Sequence, residues 1–210
     1  MKKINCTNPK KCMTEDKLNE IEEVIENGDL IVYPTETVYG IGADIFNEAA
    51  IKKLFVAKNR PFDMPLSVAV SSKEMMATIA VLDERAEKLI DAFLPGPLTI
   101  IIKKKSCVPD IVTSMSEKVG IRIPDHPVAL SIIERTGPIV ATSANLHSHP
   151  DAVKSGDAEK DLGDSVSVYV DCGPCSLGKP STIVWLMGDD MEIVRQGAIT
   201  RKQIEDVLNA

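Results

Sequence analysis

Leu30-Ile31-Val32-Tyr33-Pro34-Thr35-Glu36-Thr37-Val38-Tyr39-Gly40 joins an apolar run to a polar turn. Four consecutive apolar side chains with no polar alternation predict a buried strand. Pro34 lacks the amide a ladder requires and stops it. Two threonines and a glutamate follow at once, and Gly40 and Gly42 lie just beyond. Taken alone this reads as a strand-end turn. Its hydroxyls could equally line a pocket whose glycines let backbone approach a ligand.

Helical and strand patterns alternate on either side. Leu18, Ile21 and Ile25 mark one helical face between Thr14 as N-cap and Gly28. Asn47 predicts the cap of a second helix carrying Ile51, Leu54 and Phe55. A strand is expected over 66–70. Ser71 with Glu74 has capping-box spacing, and a helix is expected over 82–93. Strands at 98–103 and 119–123 precede a helix that starts at Pro127 and ends near Gly137. Ile139–Thr142 reads as one short buried strand leading into Ser143. Residues 146–164 read as polar loop with room for one short helix. Strands at 167–171, 182–186 and 191–195 lie close together, ahead of a helix begun by Thr200 and Gln203. The expected class is α/β: a single domain over 14–200 built on a twisted mixed sheet flanked by helices. Residues 1–13 are assigned to an N-terminal tail and 200–210 to a C-terminal helix.

A chain of 210 residues with 44% hydrophobic content can bury a substantial core. Its formal charge of −7 argues against broad, non-specific nucleic-acid binding but leaves room for a local basic cleft. The N-terminus runs straight into polar sequence and no apolar run is long enough to span a bilayer, so a cytoplasmic protein is expected, with no membrane partner. The five cysteines, an odd number, suit reduced thiols better than a disulfide framework.

Lys58-Asn59-Arg60-Pro61 closes the second helix, where cations also suit the helix dipole. As a site, Arg60 would clamp a phosphate and Lys58 would act as a mobile charge. Ser143-Ala144-Asn145 and Ser181-Thr182-Ile183-Val184 present hydroxyl and amide groups beside strands. There is no phosphate loop and no spaced triple-glycine fingerprint, so a nucleotide would be held by dispersed cations: Lys58, Arg60, Arg122, Lys179 and Arg195. Cys172-Gly173-Pro174-Cys175 looks like a redox motif, but Gly178 and Pro180 would break the helix such a motif needs. Cys6 and Cys12 have an unhelpful spacing for zinc, so no metal ligands are assigned. His147 and His149 read as exposed loop residues, and Ser143 has no signature of a nucleophile elbow.

Together the motifs resemble the YrdC family, the threonylcarbamoyl-AMP synthases of tRNA modification. The matching fragments, in order, are 34–40, Lys58-Asn59-Arg60-Pro61 with Pro65-Leu66, Leu94-Pro95-Gly96-Pro97-Leu98-Thr99, Gly120-Ile121-Arg122-Ile123-Pro124, Thr142-Ser143-Ala144-Asn145, 178–184 and Val194-Arg195-Gln196-Gly197. The resemblance implies a concave basic cavity and a reaction of L-threonine, bicarbonate (or CO2) and ATP. The products would be threonylcarbamoyl-AMP and pyrophosphate. A separate threonylcarbamoyl-transferase complex would use the former to make N6-threonylcarbamoyladenosine in tRNA. It further implies that Thr37, Arg122, Thr142 and Ser181 hold threonine. Arg60, Thr99, Ser143 and Arg195 would contact ATP, with Lys58 and Asn145 completing the catalytic set. Mg2+ would accompany ATP, although no carboxylate cluster marks a site for it.

The chain departs from the family pattern at Ala69, where many members carry His, at Asp151 in place of Ser, and at Trp185 in place of an acid. No long C-terminal extension like that of some members is expected. Two other functions fit the same motifs: a non-catalytic RNA-binding module, and a carbamoyl-adenylating domain like that of hydrogenase maturation proteins.

Overall fold

Ile31, Val32 and Tyr33 are all fully buried because both faces of their strand are covered. Leu30 and Val32 point into one apolar core, while Ile31 and Tyr33 point into a second. The computed structural model describes residues 1–6, 8, 11–188 and 190–210. In chain order its elements are β1 (Lys2–Asn5), α1 (Glu15–Glu26), β2 (Ile31–Tyr33), β3 (Gly40–Gly42), α2 (Glu48–Ala57), β4 (Ser67–Ala69), α3 (Lys73–Ile79) and α4 (Glu84–Phe93). Then come β5 (Leu98–Lys103), α5 (Asp110–Thr113), β6 (Lys118–Arg122), α6 (Pro127–Thr136), β7 (Ile139–Val140), β8 (Thr142–Ser143) and α7 (Ser155–Leu162). The chain closes with β9 (Val168–Asp171), β10 (Thr182–Met187), β11 (Asp190–Arg195) and α8 (Arg201–Leu208).

The architecture is α/β, as expected, but the strands divide into two mixed sheets. One runs β1-β9-β2-β3-β8 and the other β11-β10-β5-β6-β4-β7. The segment 139–143, of which 139–142 reads from sequence as a single strand leading into Ser143, is where they meet. Ile139 and Val140 pair with Ala69 and Val68 in the six-stranded sheet. Thr142 and Ser143 pair with Ile41 and Gly40 in the five-stranded one. Between them the Ala141 amide donates to the Ser67 carbonyl at 2.7 Å. A run of five residues thus crosses from one sheet to the other, which apolar patterning alone does not distinguish from a continuous strand.

Local signals fix most of the helices. The Asn47 side chain accepts from the amides of Ala49 and Ala50, and Thr200 and Gln203 form a reciprocal capping box. The cap of α3 is Ser72, which accepts from the Met75 amide at 3.1 Å, one residue later than Ser71. Asp83 caps α4, so that helix starts after Leu82. Thr14 precedes α1 without a side-chain cap bond.

Two expectations for the N-terminus are corrected. Residues 2–5, assigned to a tail, form an edge strand parallel to β9, because Ile4 finds a buried place beside that strand. Cys6 and Cys12, expected as free thiols, are joined in a disulfide. Their Cα atoms lie 5.2 Å apart, within the range a disulfide spans.

Candidate active site

A cavity of about 180 Å³ opens where the sheets meet. The five-stranded sheet contributes Tyr33, Gly40, Thr142 and Ser143; the six-stranded sheet contributes Ser67, Ala69, Thr99, Arg122, Ile183 and Arg195. Thr35, Thr37 and Tyr39 come from the turn after β2, Arg60 from the segment after α2, and Ser181 from the approach to β10. Eight of the ten predicted site residues therefore converge: Thr37, Arg60, Thr99, Arg122, Thr142, Ser143, Ser181 and Arg195.

The other two stand behind the wall. Lys58 is buried, and its ammonium donates to the carbonyls of Ser143 and Asn145. Asn145 donates from Nδ2 to the His149 carbonyl at 2.6 Å. Neither side chain lines the cavity, contrary to the direct contact expected of them. Lys58 instead fixes the backbone that presents Ser143. Burial, reinforced by Arg60, pulls the Lys58 amine down to about 8, and Asp151 and Asp161 act the other way.

Hydroxyls and guanidiniums are held by one another. Thr35 Oγ1 lies 2.8 Å from Thr37 Oγ1, and Arg122 donates to Thr37 Oγ1 at 3.0 Å. Arg122 also pairs with Glu36 at 2.5 Å, and the second Glu36 oxygen accepts from the Asp125 amide at 3.1 Å. On the opposite wall Thr99 Oγ1 meets Ser181 Oγ at 2.8 Å. Arg195 donates to the Ser181 carbonyl at 3.0 Å and to its hydroxyl at 3.1 Å. Arg60 rests on the Pro65 carbonyl at 2.9 Å.

Charge in the cavity is one-sided. Arg60, Arg122 and Arg195 line it, and no carboxylate does among the described residues. Glu36 neutralises Arg122, whereas among the described residues Arg60 and Arg195 rest on neutral oxygens. Burial lowers both of the latter below the usual guanidinium range, with Asp151 partly offsetting this for Arg195. An arginine stays protonated even so. The cavity is therefore suited to a polyanion. Lys179, the other predicted cation, is exposed and lies outside it.

The departures also find their places. Ala69 is fully buried in the cavity wall, between Arg122 and Ile139 in the sheet. Trp185 lines an adjoining open groove, where the Lys118 ammonium sits 4.4 Å from its ring centroid. That groove, about 620 Å³, shares Arg60, Ser67, Ile183 and Arg195 with the cavity, and Ile101 and Val194 add to its apolar lining. Asp151 lines neither. Sequence reasoning did not single out Tyr33, Ser67 or the pairing of Glu36 with Arg122. The one acid inside the hydroxyl-rich turn was the available signal for that pair. At Cys172 no helix begins, and burial pushes the Cys172 and Cys175 thiols up to about 12 and about 11, which leaves neither a redox nucleophile.

Residues 23–197 match the model of a family described as "Sua5_yciO_yrdC: Telomere recombination". The chain is 39% identical over 184 residues to a protein of Methanocaldococcus jannaschii named "Putative threonylcarbamoyl-AMP synthase", covering 87% of this chain and 86% of that one. It is 37% identical to the threonylcarbamoyl-AMP synthase of Bacillus subtilis, covering 92% of this chain and 57% of that one. Among solved structures it is similar to P. abyssi Sua5 complexed with L-threonine, with a TM-score of 0.91 and 33% identity over 98% of this chain. Here too it spans only part of its relative, 60% of the Sua5 chain.

Proposed function

The chain belongs to the Sua5/YciO/YrdC family, and from that premise we propose that it is an L-threonylcarbamoyladenylate synthase. It joins L-threonine, bicarbonate or CO2, and ATP into threonylcarbamoyl-AMP and pyrophosphate. The observation that carries this reading is the convergence of Arg60 and Arg195, neither held by a carboxylate among the described residues, on a cavity lined with hydroxyls.

The threonine amine and CO2 give a carbamate. A carbamate oxygen then attacks the α-phosphorus as the bond to the bridging oxygen breaks and pyrophosphate leaves. The nucleophile belongs to the substrate, so the protein's task is to position the reactants and stabilise charge. Arg60 and Arg195 face the phosphates. Thr37, Thr142, Ser181 and Arg122 hold threonine, and Arg122 keeps its Nε free of any protein partner. Ala69 supplies no base or donor, so any proton relay beside threonine runs through water or a neighbouring hydroxyl. The cavity is too small for both substrates, and the adjoining groove gives the adenosine an apolar wall that ends at Trp185.

Mg2+ would accompany the nucleotide. No carboxylate lines the cavity among the described residues, so the phosphates and water would supply most of its oxygen ligands. The product serves a transferase complex that modifies adenosine in tRNA, and the work is cytoplasmic. No described helix is long and apolar enough to cross a membrane.

Incubation with ATP, labelled bicarbonate and single amino acids tests the reading. Pyrophosphate release should require threonine and bicarbonate together. Release indifferent to threonine overturns it, and release dependent on carbamoyl phosphate favours the carbamoyl-adenylating alternative. Salt-dependent tRNA affinity without nucleotide turnover favours the RNA-binding one.

A further inference from the structure

We propose that Cys6, Cys12 and Cys172 form a thiolate site for a soft divalent cation of the zinc class. The site lies outside the cavity and stands independently of the synthase reading.

The three sulfurs meet because of strand register. Asn5 and Asp171 are the last partners of the parallel β1–β9 pair. The Cys6 amide donates to the Asp171 carbonyl at 2.7 Å, so Cys6 and Cys172 leave the two strands side by side. Cys12 returns to the same place, with its carbonyl accepting from the Lys17 ammonium at 3.0 Å. All three Sγ atoms lie within 4.8 Å of one another. Thiolates bound tetrahedrally at about 2.3 Å from zinc sit roughly 3.8 Å apart, so Cys6 and Cys12 would separate once the disulfide is opened, with Cys172 already within 4.8 Å of both.

A third sulfur beside a two-cysteine bridge has no part in that bridge. It would complete three protein ligands of a tetrahedral site, with water as the fourth. Cys172 and not its sequence neighbour Cys175 is the third member, which separates this cluster from the redox pattern read in the sequence.

The disulfide is the oxidised form of two of the ligands. An external dithiol supplies two electrons and two protons, leaving Cys6 and Cys12 as thiols and itself as a disulfide. A divalent zinc ion then displaces three thiol protons to solvent, and the metal with its three thiolates carries a charge of −1.

The site would brace the cavity from behind. The Cys172 amide donates to the Tyr39 hydroxyl at 3.0 Å, and that hydroxyl donates to the Gly173 carbonyl at 2.7 Å. Tyr39 belongs to the turn that lines the cavity.

The test titrates the full chain, reduced with a phosphine, with Co2+ and then Zn2+. One Co2+ per chain, a thiolate-to-cobalt charge-transfer band and its loss on adding Zn2+ are expected. Cys172→Ser should lower Co2+ affinity at least about tenfold, while Cys175→Ser and Cys107→Ser leave it unchanged. A second readout needs no variant: Zn2+ should protect Cys6, Cys12 and Cys172 of the reduced chain from alkylation, leaving Cys107 and Cys175 at their metal-free rates. Absence of stoichiometric binding overturns the proposal. So does unchanged affinity in Cys172→Ser, or protection that leaves out Cys172.

Discussion

Arg122 on β6 pairs with Glu36 in the turn after β2 at 2.5 Å, and both side chains are less than a tenth exposed. The pair ties the two sheets together at the cavity, because Glu36 follows a strand of one and Arg122 ends a strand of the other. Removing one partner strands a buried charge, which costs about 3–5 kcal/mol. Glu36→Gln should therefore lower the melting temperature markedly and raise KM for threonine. The double variant Glu36→Gln/Arg122→Met should recover part of the stability without restoring threonine use. Additive losses in stability would refute the pairing as the cause.

Arg60 and Arg195 make the second prediction. Each donates to backbone oxygens on one side, so substitution should affect the ligand more than the fold. Arg60→Ala and Arg195→Ala should each lower kcat/KM for ATP by about 10- to 100-fold, the equivalent of one lost charge-assisted contact. Melting temperatures should move little. Unchanged ATP kinetics in both would refute the assigned roles.

Most of the strands, and the caps at Asn47 and Thr200, were legible because each rests on local chemistry, whereas the eight cavity residues were legible as a set through the order of the family's motifs. Asn47 can cap α2 and Pro34 can end β2 whatever surrounds them. What the sequence did not disclose depended on distant pairings. Lys58 reads as a ligand cation until the fold places two carbonyls, from Ser143 and Asn145, around its ammonium. The division of 139–143 between sheets follows from which neighbours β4 and β3 offer, and nothing within those five residues states it. Cys6 and Cys172 are neighbours only through the β1–β9 register.

Gly40 tests how tightly the turn is packed. A Cβ there would lie 2.9 Å from Tyr33 Cζ. The ring cannot retreat, because Tyr33 is buried and its hydroxyl donates to the Val140 carbonyl at 3.1 Å. Gly40→Ala should cost about 1–3 kcal/mol by overpacking. It should also displace Ser143, the strand partner of Gly40, and so weaken ATP use. Urea unfolding and ATP kinetics check both effects, and wild-type values in both would show the ring free to move.

Lys58 gives a pH dependence whose sign can be worked out. Its folded amine titrates near 8, below the ordinary 10.5, chiefly because burial disfavours the ammonium. Between those values the unfolded chain binds a proton that the folded chain does not, so stability rises with pH across the window. Below about 8 the folded state bears the full cost of the buried charge. A neutral amine still has two hydrogens for the carbonyls of Ser143 and Asn145, so the loop stays held as the proton leaves. Lys58→Met removes both the titration and the two hydrogen bonds. Measured by urea unfolding from pH 7 to 10.5, the stability of the wild type relative to Lys58→Met should climb by on the order of 3 kcal/mol. A flat difference would mean that the ammonium is not buried at a cost, and a falling one would place its folded pKa above 10.5.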